Sequence, residues 1–191
     1  MFTNNYIKFQ RERFTAKSSS SVSLINAENN PSTFYGSCSF FSEIGCCMGI
    51  GQCKSIIGSN SSYPYPSSSG YGGVYFGSGS TPATKDDYRL ESPITSGLSI
   101  TNPKSLYWVD VGNGKYIVSS PFIVTNITDS DIFISEIGVF TPVSAVYDKG
   151  SNSSQTLNYC LMERTVLSEP ITIPAGESKL VTYKLTFNQK F

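Results

Sequence analysis

The sequence predicts an all-β protein: an antiparallel β-sandwich with an irregular N-terminal extension. Three observations carry this. Tyr and Phe, 12 of each, make up most of an aromatic fraction of 13%, and together with Val, Ile and Thr they fit a pleated, half-buried surface better than a helix. From Val74 onward, apolar runs and turn signals alternate at roughly ten-residue spacing, the rhythm of a sandwich or barrel. In the last run Val181, Tyr183, Leu185 and Phe187 alternate with Thr182, Lys184 and Thr186, one apolar face backed by one polar face.

The chain divides by texture into 1–73 and 74–191. In the first 17 residues, Lys8, Arg11, Arg13 and Lys17 face only Glu12. Phe2, Tyr6, Ile7, Phe9 and Phe14 follow no helical stripe, so a short strand or extended arm is expected. Ser18–Ser21 breaks the pattern. Val22–Ile25 reads as a short strand, and Asn26–Ser32 as turn chemistry. Short strands are expected around Phe34–Phe41 and Gln52–Ile57. The Ser, Gly, Tyr and Pro of Gly58–Gly73 suit a loop. Its Tyr63, Tyr65 and Tyr71 would form either a locally packed surface or a contact patch.

In the second part, Val74–Phe76 leads into the turn-rich Gly77–Pro82. Leu106–Val111 and Lys115–Val118 flank Gly112-Asn-Gly114, a hairpin signal because those turn residues accept positive φ. Phe122–Ile127 and Ile132–Phe140 are expected as strands around the polar turn Thr128-Asp-Ser-Asp. Leu161–Leu167, Pro170–Ile173 and Lys179–Phe187 complete the set. No helix longer than two turns is expected.

Composition narrows the chemistry. Histidine is absent, which excludes a Ser-His-Asp triad, a Cys-His dyad, histidine metal sites and histidine pH switching. Fourteen basic and 14 acidic residues cancel, so no cationic excess is available to displace phosphate counterions, and no nucleic acid is expected as partner. The first residues form no secretory signal and no apolar run is long enough to span a bilayer, so synthesis in a cytoplasm, with no membrane partner, is expected. Cys38, Cys46, Cys47, Cys53 and Cys160 then read as free thiols; the cluster Cys38/Cys46/Cys47/Cys53 could alternatively hold a metal, although its spacing fits no C-x₂₋₄-C pair. Neither a cofactor nor a catalytic set is expected. Asn60, Asn126 and Asn152 match a glycosylation pattern, by chance in a Ser/Asn-rich chain.

Other features have ordinary readings. Gly70-Tyr-Gly-Gly and Gly77-Ser-Gly-Ser look like phosphate loops, but no helix follows either one, and a flexible turn is expected. Asp86, Asp87 and Glu91, beside Lys85 and Arg89, could bind a cation or serve as glycosidase carboxylates, but a solvated turn is the expected reading. Glu136 differs: it interrupts the apolar Ile132–Phe140, and alternation places it with Ile132, Ile134 and Phe140. A carboxylate there needs a partner. Arg164, set among the apolar residues of Leu161–Leu167, is the expected one, in an ion pair that fixes strand register; exposure of both to solvent or to a neighbouring subunit is the alternative.

The segments Gly77–Ile94 (GSGSTPATKDDYRLESPI), Ile134–Phe140 (ISEIGVF) and Leu161–Glu177 (LMERTVLSEPITIPAGE) resemble those of small β-rich virion structural proteins of tailed bacteriophages. The resemblance spans roughly residues 74–191 and carries turn-and-strand signatures rather than an active site. It implies an immunoglobulin-like or related sandwich. It also implies a non-enzymatic building block of a virion assembled in a bacterial cytoplasm, with copies of itself and other virion proteins as partners; it does not fix the location, and a subunit repeated in the tail, baseplate or neck is the leading reading. Capsid decoration is the alternative role. A host-surface glycan-binding module, with the three loop tyrosines as stacking platforms, is a further one. The expected docking element is the N-terminal arm, with Phe2, Tyr6, Phe9, Arg11 and Arg13 adding a strand to a neighbour's sheet.

Overall fold

A computed structural model of the chain describes residues 1–8, 21–35, 73–101, 107–112, 115–146 and 155–188. Outside these lie Phe9, Arg11, Arg13, Tyr63, Tyr65, Tyr71, the Cys38–Cys53 cluster, the expected strand at 52–57 and the Asn113-Gly114 turn. The described residues are mostly β, in antiparallel sheets. The strands are β1 (Ser21–Ile25), β2 (Pro31–Tyr35), β3 (Gly73–Gly77), β4 (Leu98–Thr101), β5 (Tyr107–Gly112), β6 (Lys115–Asn126), β7 (Ile132–Val146), β8 (Gln155–Ile173) and β9 (Ser178–Asn188).

β1 and β2 form a two-stranded ribbon. Its turn is closed by Asn26, whose Oδ1 accepts from the amides of Glu28 and Asn30 at 3.1 and 2.8 Å, while Asn29 takes a positive φ of 65°, a conformation Asn tolerates. A three-stranded sheet runs β3-β7-β8. In the four-stranded sheet β6 is central: β9 pairs along one side, and β5 and β4 lie end to end along the other.

One core joins these two larger sheets. Val74 and Phe76 of β3, Ile134, Ile137 and Val139 of β7 and Ile173 of β8 meet Leu98, Phe122, Val124, Val181 and Tyr183 of the four-stranded sheet. Phe76 and Phe122 pack edge to face at 6.3 Å. The opposite face of the three-stranded sheet is covered too: Tyr75, Phe140 and Leu161 pack with Ala27 and Leu90. Residues 74, 75 and 76 thus alternate between two buried faces, as a central apolar strand does.

Three features of the sheets differ from the sequence-based expectation. β6 is one strand where two were expected, running through Pro121. β5 pairs with it up to Ser119 and β4 from Ile123 onward, so the proline falls where that side of the ladder changes partner and an N–H is dispensable. β8 is likewise one strand, but its pairing with β7 steps from Ile134↔Ile171 to Glu136↔Val166. Leu167–Pro170 therefore bulges between the two expected segments. β4 had no counterpart in the sequence reading: its four residues are too short for a periodic signal.

The N-terminus also departs from expectation. Residues 1–3 run antiparallel along β8, with Phe2 bridged to Glu163, Thr3 N donating to Met162 O and Arg164 N to Met1 O, each at 3.0 Å. Residues 4–8 are helical, and Phe2 stacks on Tyr6 at 4.1 Å. Residues 1–3 thus pair within the chain, at the stretch of β8 edge beside its second register shift. Buried Asn5 ties this segment to β1, accepting from Ile25 N at 2.8 Å and donating to Ile25 O at 2.7 Å. The described residues before 36 are thus bonded to the sheets of 74–191.

Candidate functional site

Glu136 is fully buried and Arg164 is 3% exposed. The Arg164 Nε donates to Glu136 Oε2 at 2.8 Å. Two adjacent strands place them: Gly138 of β7 is the register partner of Arg164 of β8, and Glu136 is two residues away on the same strand.

Glu136 does not share the face of Ile132 and Ile134, as simple alternation required. Ile134 points into the core between the sheets, and so do Ile137 and Val139. The register shift between Ile134 and Glu136 reverses the parity of the strand, the usual effect of a bulge. Glu136 is left on the side of Phe140, under the loop 78–92.

That loop closes on itself at its base: Gly77 bridges Pro93, Ser78 N donates to Ser92 O at 2.8 Å and Ile94 N to Phe76 O at 2.9 Å. Its interior is organised around carboxylates. Glu136 Oε1 accepts from Gly79 N at 3.2 Å and Ser92 N at 2.7 Å, and Oε2 accepts from Glu91 N at 3.1 Å as well as from Arg164. Each oxygen therefore takes two hydrogen bonds, so the buried carboxylate is compensated. Glu91 Oε2 accepts from the amides of Ser80 and Thr81, each at 2.8 Å, and its Oε1 from the Thr81 hydroxyl. Asp87 accepts from Thr84 N at 2.9 Å and Thr84 Oγ1 at 2.8 Å.

Arg164 gathers all three acids. Its Nη1 lies 2.9 Å from Asp87 Oδ2, and its Nη2 lies 3.5 Å from Glu91 Oε2. The second contact is coulombic only, because Nη2 makes no hydrogen bond. The acidic group read as a solvated turn thus splits. Asp87 and Glu91 turn inward to Arg164, while exposed Asp86 accepts from Asn4 Nδ2 at 2.7 Å and sits 3.4 Å from Lys85. The expected flexible turn at Gly77-Ser-Gly-Ser is instead packed ground: a Cβ on Gly77 would lie 2.6 Å from Glu136 Cγ, and one on Gly79 2.7 Å from its Oε1.

A second polar group, with no forerunner in the sequence reading, lies between the sheets. Buried Glu163 of β8 accepts from Tyr183 OH of β9, from Thr165 Oγ1 at 2.5 Å and from the Met1 amino group at 2.7 Å. The alternation of β9 does put Tyr183 on the apolar face, and a buried phenol needs a partner; that was the available signal.

Asn126 is also fully buried. Its Nδ2 donates to Ser130 O at 2.7 Å and Ile173 O at 2.9 Å, and its Oδ1 accepts from Thr128 N at 2.9 Å. Both amide hydrogens are engaged inside the fold, so the folded chain offers no acceptor for a glycan at this site. Asn60 and Asn152 lie outside the described residues.

The titrating groups define a stability window. Burial tends to raise the Asp87 carboxyl, but its hydrogen bonds with Thr84 and Arg164 outweigh that and hold it below the ordinary range; Glu91 is lowered by the Thr81 hydroxyl and amide. Both ionise more readily folded than unfolded, so their contribution is complete above the usual carboxylate pKa, about 4, and is lost as pH falls through the lowered folded values. Glu91 is solvent-exposed and screened, so Asp87 dominates. On the alkaline side, burial pushes the Cys160 thiol up to about 12, and burial, then the charge of Glu163, raises the Tyr183 phenol. Stability from these neutral forms is complete below their ordinary values, about 8.5 and about 10, and is lost as pH rises through the higher folded ones. Urea denaturation should therefore give a plateau from about pH 5 to about pH 8, falling on both sides; a rise in stability above pH 9 would contradict this. Cys160, fully buried, should resist iodoacetamide in the native protein and react at the rate of unfolding, since only the exposed thiolate is nucleophilic. Native-state alkylation at the rate of a free thiol would contradict its placement.

Among the described residues, no group of three or more His, Cys, Asp or Glu is placed to hold a metal ion, and no helix is long and apolar enough to cross a membrane. The arrangement is an ionic knot that clamps a loop onto a sheet. It defines a class, an antiparallel β-protein with buried carboxylate–arginine bonding, and nothing narrower. Comparison with protein-family models, with curated proteins and with solved structures finds no match.

Proposed function

We propose that this chain is a non-enzymatic structural subunit of a bacteriophage virion, an antiparallel β-sandwich of immunoglobulin-like or related type, repeated in the tail, baseplate or neck. One observation carries the reading. The three segments that resemble phage virion proteins, 77–94, 134–140 and 161–177, meet in the knot: Gly79, Glu91 and Ser92 of the first and Arg164 of the third all bond Glu136 of the second. The shared residues are thus those that build and brace the domain. The Glu136 carboxylate, saturated by its own chain, serves architecture rather than turnover, and braced loops on a two-sheet core suit a part that transmits load between neighbours.

The test is to place the chain in a particle. Mass spectrometry of purified virions should detect it in many copies, and a map of the particle should locate it in the tail, baseplate or neck. Depleting it should then abolish infectious particles. Heads that assemble normally without it, and rebind it when it is added back, would point to capsid decoration instead. Absence of the chain from purified particles would remove the reading altogether.

A further inference from the structure

β9 is an edge strand. Among the described residues its only pairing partner is β6, so one side of an eleven-residue strand presents unpaired N–H and C=O groups, a ready template for another strand. Its outer face is open as well: Leu180 is 67% exposed, and Thr182, Lys184 and Thr186 are exposed. Across the ladder from Leu180 sits Ile123, itself 37% exposed. These two form a directly paired apolar spot on the sheet surface.

The charge of this edge has one sign. Within β9, Ser178–Asn188, the charged residues are Lys179 and Lys184, with no acidic residue. Among the described residues, neither Lys179 nor Lys184 has an ion-pair partner. On the outer face, which carries Leu180, Thr182, Lys184 and Thr186, Lys184 is the charged residue.

We infer that the free edge of β9 is a strand-addition site for an extended acidic segment of a partner polypeptide. Backbone pairing supplies the attachment and alternate side chains the selectivity. Leu180 and Lys184 lie on one face, four residues apart, so the matching occupant carries an apolar residue and an acidic residue at that same separation on one side of its strand. There the acid meets Lys184, and the apolar residue packs against Leu180. Opposite charges directly across a ladder attract and like charges repel. A second copy of this chain is disfavoured at this edge for that reason: β9 against β9 brings lysine-bearing strands together with no acid between them. The inference goes beyond the particle reading and does not depend on it.

The test uses the full chain and synthetic strand peptides of about ten alternating Thr and Val residues, with one Leu and one Glu four positions apart on the same face. Matched peptides replace the Glu by Gln or by Lys. In low salt the Glu peptide should bind at least about fivefold more tightly than the Gln peptide, and the Lys peptide more weakly still. Lys184→Glu, an exposed substitution that leaves folding intact, should reverse the order. In amide exchange, every second residue of β9 should gain protection on binding, because alternate N–H groups face the free edge. No binding by any peptide, affinity indifferent to charge, or protection gained elsewhere would overturn the inference. Self-association of the peptide-free chain through β9 would overturn it in favour of a second copy.

Discussion

Arg164→Leu should lower the stability of the protein by about 4 kcal/mol, the scale at which removing one partner of a buried ion pair is felt. For a chain of this size that corresponds to a drop in melting temperature of about 8–16 °C. The physical loss is specific. Leucine fills much of the space but leaves Asp87 without the Nη1 contact at 2.9 Å and the fully buried Glu136 without the Nε contact at 2.8 Å. Glu136→Gln tests the other half of the knot. Both Glu136 oxygens accept from N–H donors, so a glutamine amide placed either way sets its own NH₂ against donors, and a loss of about 2–4 kcal/mol is expected. Replacing both residues by leucine should not restore stability. Swapping a buried pair for apolar groups is often neutral, but here the amides of Gly79, Glu91 and Ser92 would lose their acceptor. Denaturant titration of the three variants measures this directly. An unchanged midpoint for Arg164→Leu would show that the knot contributes nothing, and a restored double variant would show that only the ion pair matters.

Gly77→Ala should cost about 3 kcal/mol although it adds a single methyl group. The new Cβ would lie 2.6 Å from Glu136 Cγ and 2.8 Å from its Cδ. A flexible acid would swing aside at small cost. This one is held by four hydrogen bonds, so moving it loosens the loop 78–92 and Arg164 at once. The penalty should therefore depend on the length of the acid: it should be smaller in a Glu136→Asp background, where the carboxyl stem is withdrawn, than in the native one. Contacting residues are expected to couple by about 0.5–3 kcal/mol. Strict additivity in the four-way cycle would mean that the glycine and the acid do not meet. The positive-φ turn at Gly176, where nothing lies near the added Cβ, serves as a backbone control: alanine there is strained by conformation alone.

These two sites also show how much was readable in one dimension. Glu136 and Arg164 could be paired from sequence because each is a charge in an apolar strand, and burial of an unpaired charge is costly enough to demand a partner. Asp87 and Glu91 carried no such signal. They sit among Lys85, Asp86 and Arg89 in a polar stretch, where an acid that bonds its own loop and one that faces only water look alike. Gly77 reads as a turn glycine because what it makes room for, Glu136, lies far away along the chain, and Gly79 because it makes room for Glu91 across the loop as well as for Glu136. The side on which Glu136 lies was misread for a related reason: period-two alternation assumes an unbroken ladder, and the shift opposite Leu167–Pro170 exists only through pairing with β8.

The amino-acid sequence by itself determined the β class, the positions of most strands, the polar turns between them, the lack of histidine chemistry and the need for a Glu136–Arg164 contact. All of these follow from local periodicity, turn stereochemistry and the desolvation cost of charge, which act over a few residues. The tertiary structure alone decided that residues 1–3 lie along β8, that β6 runs unbroken past Pro121, and that Glu163 reaches Tyr183 across the two sheets. Those outcomes depend on which strands become neighbours and in what register, a cooperative choice made by the whole core that no single segment encodes.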